Sequence, residues 1–134
     1  MTTYVDSSAL LKLYVDEADS DDARRFIAAD VVIVTAWLTL VEVRRNLARL
    51  LDGPALTRAR EACERDFDAM ALVNLDERGW RRAADIGDVV GVRSLDAIHL
   101  AAAQQLQIPA LLFCTFDLRQ GNAARHLGLQ VIGC

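Results

Sequence analysis

Four acidic residues stand in otherwise apolar sequence. Asp6 ends the run Tyr4-Val5, Glu42 interrupts Leu38–Val43, Asp96 lies inside Ser94–Leu100, and Asp117 follows Leu111–Phe116. Carboxylates are rarely buried without partners. If several converge at the ends of neighbouring strands, they repel one another: two unit charges about 4 Å apart cost roughly 4 kcal/mol at an effective dielectric near 20. A divalent cation between them removes that cost. Hard oxygen ligands around Mg²⁺ or Mn²⁺ are also how proteins build phosphodiester-cleaving sites, because the ion neutralises the phosphate and lowers the pKa of water. The acids therefore point to metal-assisted hydrolysis. Each also has an ordinary reading. Asp6 suits a helix cap, Asp96 and Asp117 suit first turns, and Glu42 shares a helix face with Arg45 and Arg49. What is unusual is that all four occur together.

Other reactive residues are sparse. His99 and His126 are the only histidines, and a metal-free, two-histidine ribonuclease needs both in its site. His99 lies one helical turn beyond Asp96, within reach of the same pocket, and His126 falls near a helix end. Packing or capping accounts for either. Arg45, Arg49, Arg93 and Arg119 are candidates for holding phosphate, since the guanidinium fork matches phosphate oxygens. Arg93 and Arg119 are preferred because they neighbour the later acids in sequence.

The elements that must position these residues alternate along the chain. Strands are predicted at 3–5, 31–34, 71–75, 110–115 and 129–132. Helices are predicted at 8–15, 19–29, 38–51, 55–70, 77–90, 95–106 and 118–127, with Ser94 as an N-cap and Asp52-Gly53-Pro54 as a stop signal. Strands alternating with helices imply right-handed crossovers and a mainly parallel sheet covered on both faces. The strand runs are continuously apolar, as doubly covered strands are. Ligands of such sheets bind beyond the carboxyl ends of the strands, where Asp6 and Asp117 fall.

Composition narrows the function further. A chain of 134 residues implies one domain, residues 1–134, large enough to bury a core without staples. Cys63, Cys114 and Cys134 are three in number, far apart and without a C-x-x-C pair, which argues against zinc ribbons and a disulfide framework. The net charge of −4 argues against a general nucleic-acid coat. It leaves room for an enzyme that holds nucleic acid through metals and local arginines. No segment is apolar enough to span a membrane, and no signal-like leader begins the chain, so a cytoplasmic location is expected. Phosphate-binding glycine loops are missing. A receiver-type signalling domain needs paired acids after the first strand and a late lysine, but Lys12 is the only lysine.

Four pieces, Tyr4–Tyr14 (YVDSSALLKLY), Leu40–Val43 (LVEV), Leu95–Ala103 (LDAIHLAAA) and Thr115–Asp117 (TFD), agree in order and spacing with a known family. Across essentially its whole length the chain resembles the PIN-domain family, in particular the VapC-type ribonuclease toxins of toxin–antitoxin pairs. The resemblance implies a three-layer α/β/α sandwich with a mainly parallel sheet of four or five strands. It implies an endoribonuclease dependent on Mg²⁺ or Mn²⁺. Asp6 and Asp96 match the principal metal ligands, Glu42 the helix-borne acid, and Asp117 a final acid acting through water or a second metal. Ser7 and Thr115 match the small polar residues that support the cluster. The implied substrate is tRNA or rRNA. The implied partner is a VapB-like antitoxin whose tail enters the acidic pocket. A homodimer is also implied, with Trp37, Leu38 and Val41 as apolar contacts. The alternatives are a PIN-type nuclease of RNA maturation or of DNA, or a weakly active metal-binding module of the same fold. Crowded acids further imply that Mg²⁺ or Mn²⁺ raises the melting temperature, and that Asp96→Asn does so in metal-free buffer.

Overall fold

Thr2–Val5 (β1) forms the centre of a five-stranded sheet in a computed structural model that describes residues 1–134. Val32–Ala36 (β2) and Leu112–Cys114 (β4) flank it, and Ala71–Val73 (β3) and Gln130–Ile132 (β5) form the edges. The order is β3-β2-β1-β4-β5 and every pairing is parallel. The chain builds outward from β1 on one side, then returns to start again beside β1 on the other. The point of reversal lies between β1 and β4. Open α/β sheets hold their ligands at such a switch point, beyond the carboxyl ends of the strands.

Seven helices cover the sheet. They are Ser7–Leu11 (α1), Ser20–Ala29 (α2), Trp37–Leu50 (α3), Gly53–Ala69 (α4), Glu77–Val90 (α5), Ser94–Gln105 (α6) and Leu118–His126 (α7). Alternation along β1 sends Tyr4 and Val5 to opposite faces. Tyr4, Val34 and Phe113 pack with α5, α6 and α7 in the larger core, where the rings of Tyr4 and Phe113 stack 5.3 Å apart. Val5 and Cys114 pack on the other face against Ala9, with Phe26 behind them. Leu10, Val43, Leu47, Cys63 and Phe67 join α1, α3 and α4 above that second face. Each large side chain so buried contributes about 1.5–3 kcal/mol. Residues Ala97 to Ala103 of α6 are buried on almost every side, apart from Ile98. Helix α6 thus runs through the core like a strand of a covered sheet, and its polar residues stand out against that background.

The α/β sandwich expected from the sequence is the fold observed. Boundaries shift by one or two residues at most elements, the strand after Ala71 ending at Val73 and the fourth strand shortening to Leu112–Cys114, and three differences matter locally. Helix α1 stops at Leu11, and the chain continues through turns to Val15. Ser94 is the first helical residue of α6 rather than its cap; the cap is Arg93, which makes no side-chain cap bond. Asp52-Gly53-Pro54 ends α3 and also begins α4, with Pro54 in the first turn, where its missing N–H costs nothing.

The last strand closes tightly on β4. Thr115 donates its N–H to the Ile132 carbonyl at 3.0 Å. Gly133 follows at φ +107°, and any Cβ there would overlap the Thr115 carbonyl group. Only glycine fits both the backbone angle and the space.

Candidate active site

The cleft at the reversal point is built outward from Asp6. β1 ends at Val5, and Asp6 turns into α1 with its N–H on the Cys114 carbonyl at 3.2 Å. Asp6 is 3% exposed. Its Oδ1 accepts from the Ala9 N–H at 3.1 Å and the Ser8 hydroxyl at 2.6 Å, and its Oδ2 accepts from the Thr115 hydroxyl at 2.5 Å. Capping and site-building are therefore one arrangement. Burial raises the Asp6 carboxyl above its ordinary value, opposed by the nearby imidazole of His99 and by these three hydrogen bonds.

Asp117 follows β4 and caps α7. Its Oδ1 accepts from the N–H groups of Arg119 at 2.9 Å and Gln120 at 3.4 Å. Its own N–H donates to Thr115 Oγ1 at 3.2 Å, so one hydroxyl links the Asp6 and Asp117 segments. Asp96 sits in the first turn of α6. Arg93 spans the two later acids, with Nε 2.9 Å from Asp96 Oδ2 and an Nη 3.2 Å from Asp117 Oδ2. Side-chain exposure is 14% for Asp96, 17% for Glu42 and 30% for Asp117. Asp6 thus forms the floor of the cleft and Asp117 its rim.

Glu42 reaches the cleft from the second turn of α3. Its Oε1 lies 2.5 Å from His99 Nε2, and His99 Nδ1 lies 2.8 Å from the Tyr4 hydroxyl. A carboxylate only accepts, so Nε2 donates to Glu42 and the imidazole is fixed in orientation. Burial holds the Tyr4 phenol well above its usual range, reinforced by the negative charges of Asp6 and Glu42, so the hydroxyl keeps its proton. His99 and Tyr4 are both fully buried.

The four acids singled out in the sequence lie toward the same end of the sheet, Asp6 linked to Asp117 through Thr115, Asp117 to Asp96 through Arg93, and Glu42 held by His99. Several supporting expectations change. The hydroxyl that grips Asp6 belongs to Ser8, not Ser7; Ser7 makes no side-chain hydrogen bond. Thr115 donates its hydroxyl to Asp6 Oδ2. Glu42 pairs with His99 rather than with Arg45 or Arg49, which are exposed on α3. Arg49 donates instead to Asn46 at 2.9 Å. Neither arginine contacts the acids, whereas Arg93 contacts two of them and Arg119 lines the space beside Asp96. His99 is the residue that sequence reasoning undervalued. Its place one turn after Asp96 was visible, but its partners Tyr4 and Glu42 come from distant elements. Trp37 and Val41 are exposed on α3, while Leu38 packs into the larger core.

The donors are carboxylate oxygens at graded depth, the chemistry a hard divalent cation prefers, and burial raises the neighbouring Cys114 and Cys134 thiols, which keeps them protonated. The Arg93 guanidinium already occupies the rim between Asp96 and Asp117. No three acidic or imidazole side chains are gathered closely enough here to enclose an ion. Arg93 draws the two rim acids to itself and His99 draws Glu42 to its own side.

A PIN-domain model matches residues 3–126. Ribonuclease VapC46 of Mycobacterium tuberculosis (strain ATCC 25618 / H37Rv) is 39% identical over 129 residues, 96% of this chain and 95% of that protein. Ribonuclease VapC47 of M. tuberculosis (strain CDC 1551 / Oshkosh) is 34% identical over 129 residues, covering 93% of this chain and 91% of the relative. Among solved structures, M. tuberculosis VapC20, described as a sarcin-ricin loop cleaving toxin, superposes with a TM-score of 0.74 at 21% identity, over 90% of this chain and 94% of that one. FitAcB from Neisseria gonorrhoeae gives 0.71 at 15% identity, over 97% and 96%. Sequence and fold agree, and the chain belongs to the PIN-domain family, where it groups with the VapC proteins.

Proposed function

We propose that this protein is a Mg²⁺- or Mn²⁺-dependent endoribonuclease acting as the toxin of a toxin–antitoxin pair, held in check by a VapB-like antitoxin. The observation that supports it is a buried Asp6 gripped by Ser8, Thr115 and the Ala9 N–H at the sheet's reversal point, with three further acids above it. A cation held by Asp6, Asp96, Glu42 and Asp117 would supply charge neutralisation at the phosphate and a lowered pKa for the attacking water. The residues themselves orient the site. Thr115 and Ser8 fix both Asp6 oxygens, so the carboxylate cannot rotate away. His99 and Tyr4 hold the Glu42 carboxylate, as outer partners commonly hold ligands. Arg93 and Arg119 offer positive charge to the phosphates flanking the cut.

The kinship with named ribonucleases supports RNA, either tRNA or rRNA, as substrate. Fold neighbours described as a toxin–antitoxin complex and as a member of the VapBC family of toxin–antitoxin systems support the partner. A homodimer is proposed with them, using the exposed Trp37 and Val41 on α3. The test is cleavage of structured RNA by the purified protein in Mn²⁺. Activity should vanish in EDTA and in Asp6→Asn; equal cutting by wild type and variant would refute the assignment. A weakly active metal-binding module is the second reading, and the Arg93 bridge over Asp96 and Asp117 favours it. Metal binding without turnover would select that reading.

A further inference from the structure

Beside Asp96 the surface sinks into a cleft of about 360 Å³ between the α5–α6 connection and one face of α7. This is at the small end of ligand pockets, room for one nucleotide rather than for a duplex. Its walls are of two kinds. Val92 and Ala123 form an apolar side, suited to the flat face of a base or the carbons of a ribose. Arg93, Arg119, Asn122 and His126 form the polar side. Gly91, at φ +76°, turns the chain at the end of α5 and leaves the mouth open.

The polar side chains are available. Arg93 is 69% exposed although bridged to the acids. Only the backbone N–H of Arg119 is engaged, by Asp117, and its guanidinium is free. Asn122 Oδ1 accepts from Arg125 at 3.4 Å, which turns the amide and leaves its N–H₂ free to donate. Asp96 is shared between this cleft and the acidic site, so an occupant would abut the phosphate undergoing cleavage.

We propose that this cleft is a nucleotide subsite: it takes a single unstacked nucleotide of the RNA next to the scissile bond. Its phosphate meets Arg119 and Arg93, and its base edge meets Asn122. The inference rests on the ribonuclease reading above and specifies where that substrate lies. Sequence-selective RNA recognition commonly splays single bases out in this way, stacking them on arginine planes or apolar walls and reading their edges. The amide supplies selectivity among bases; the guanidinium supplies affinity without it.

The test needs no catalysis. Each of the four nucleoside 5′-monophosphates, the matching 2′-deoxynucleotides and inorganic phosphate are titrated separately into ¹⁵N-labelled protein in EDTA, following amide shifts. The expected result is saturable movement of the Val92, Asn122 and His126 amides, with ribonucleotides bound about tenfold more tightly than inorganic phosphate. Arg119→Ala should weaken binding about tenfold, as loss of one charge-assisted hydrogen bond does. Asn122→Ala should keep binding but level the preference among the four bases. Both positions lie on the surface, and an unchanged spectrum elsewhere shows that each variant is folded. Equal affinity for phosphate and nucleotides would reduce the cleft to an anion site and overturn the proposal. So would shifts centred elsewhere, or a clear preference for the deoxynucleotides. If RNA is cleaved while these amides stay still, the subsite fails and the nuclease reading stands. If nucleotides bind here and no RNA is ever cleaved, the cleft is a nucleotide site but not one beside a scissile bond, and the proposal falls with the nuclease reading.

Discussion

Asp6 and the Asp96–Asp117 pair share one cleft but satisfy their charges in opposite ways. Asp6 is buried and receives three neutral hydrogen bonds and no cationic side chain of its own. The rim acids are more exposed and share one guanidinium. Neutral donors orient a carboxylate without cancelling its charge, and that residual charge inside a low-dielectric wall is what an incoming cation can exploit. The rim has its compensation already in place, but it is solvated and can be exchanged. On the proposed metal-dependent reading, the floor would generate the demand for a cation, and the rim would control how easily one enters.

Activity gives the largest contrast to break. Asp6→Asn keeps the shape of the floor and removes its charge, and should lower Mn²⁺-dependent RNA cleavage by roughly 10²–10³ or more, the scale for loss of one preorganised electrostatic group. Asp96→Asn should fall in the same range. If either variant cuts RNA at the wild-type rate in a gel assay, that acid is not part of the chemistry. Next comes the outer layer. His99→Ala leaves Glu42 without its anchor, and metal affinity measured by calorimetry should weaken by roughly 10–100-fold. Tyr4→Phe should have a smaller effect in the same direction; wild-type affinity in both would detach the imidazole from the site.

Arg93→Ala tests the rim directly. Removing the resident cation should tighten Mn²⁺ binding by a few fold, because an exposed ion pair is worth only about 0.2–1 kcal/mol. Weaker binding would mean that Arg93 holds the acids in place for the ion rather than against it. Stability gives the smallest effect and separates floor from rim most cleanly. Burial raises the folded-state value for Asp6 above 3.8, so its contribution is full below that unfolded value and is lost as pH rises through the folded one. In metal-free buffer Asp6→Asn should therefore melt higher than wild type at neutral pH, with the gap closing on acidification. About 1 kcal/mol corresponds to roughly 2–8 °C for a domain of this size. Asp96→Asn, which sequence reasoning favoured for this effect, should not stabilise, because it breaks the pair with Arg93. Calorimetric scans of both variants at several pH values distinguish the two; a higher melting point for Asp96→Asn alone would reverse the roles of floor and rim.

The residues that the sequence exposed, and those it hid, differ for a physical reason. Asp6 and Asp117 stood out because each follows an apolar strand, and parallel strands end on one side of the sheet. Their gathering needed only topology. Ser8 was hidden behind Ser7 because the choice between adjacent hydroxyls depends on the phase of a five-residue helix, which hydropathy does not encode. Glu42 looked like a partner of Arg45 and Arg49, three and seven residues further along the same helix face. Its true partner arrives from α6, across the core, and no local spacing reveals it. Arg93 neighbours Asp96 in sequence, but its bridging of two acids depends on how the α5–α6 turn aims the side chain.

Gly133 ties the far end of the polypeptide to the floor of the cleft. A methyl group there would press on the peptide unit of Thr115, whose hydroxyl sets the Asp6 carboxylate. Gly133→Ala would touch none of the four acids, yet its damage would be transmitted one strand inward as a misaimed hydroxyl. A loss-of-function screen should therefore recover this edge-strand glycine beside the acids themselves.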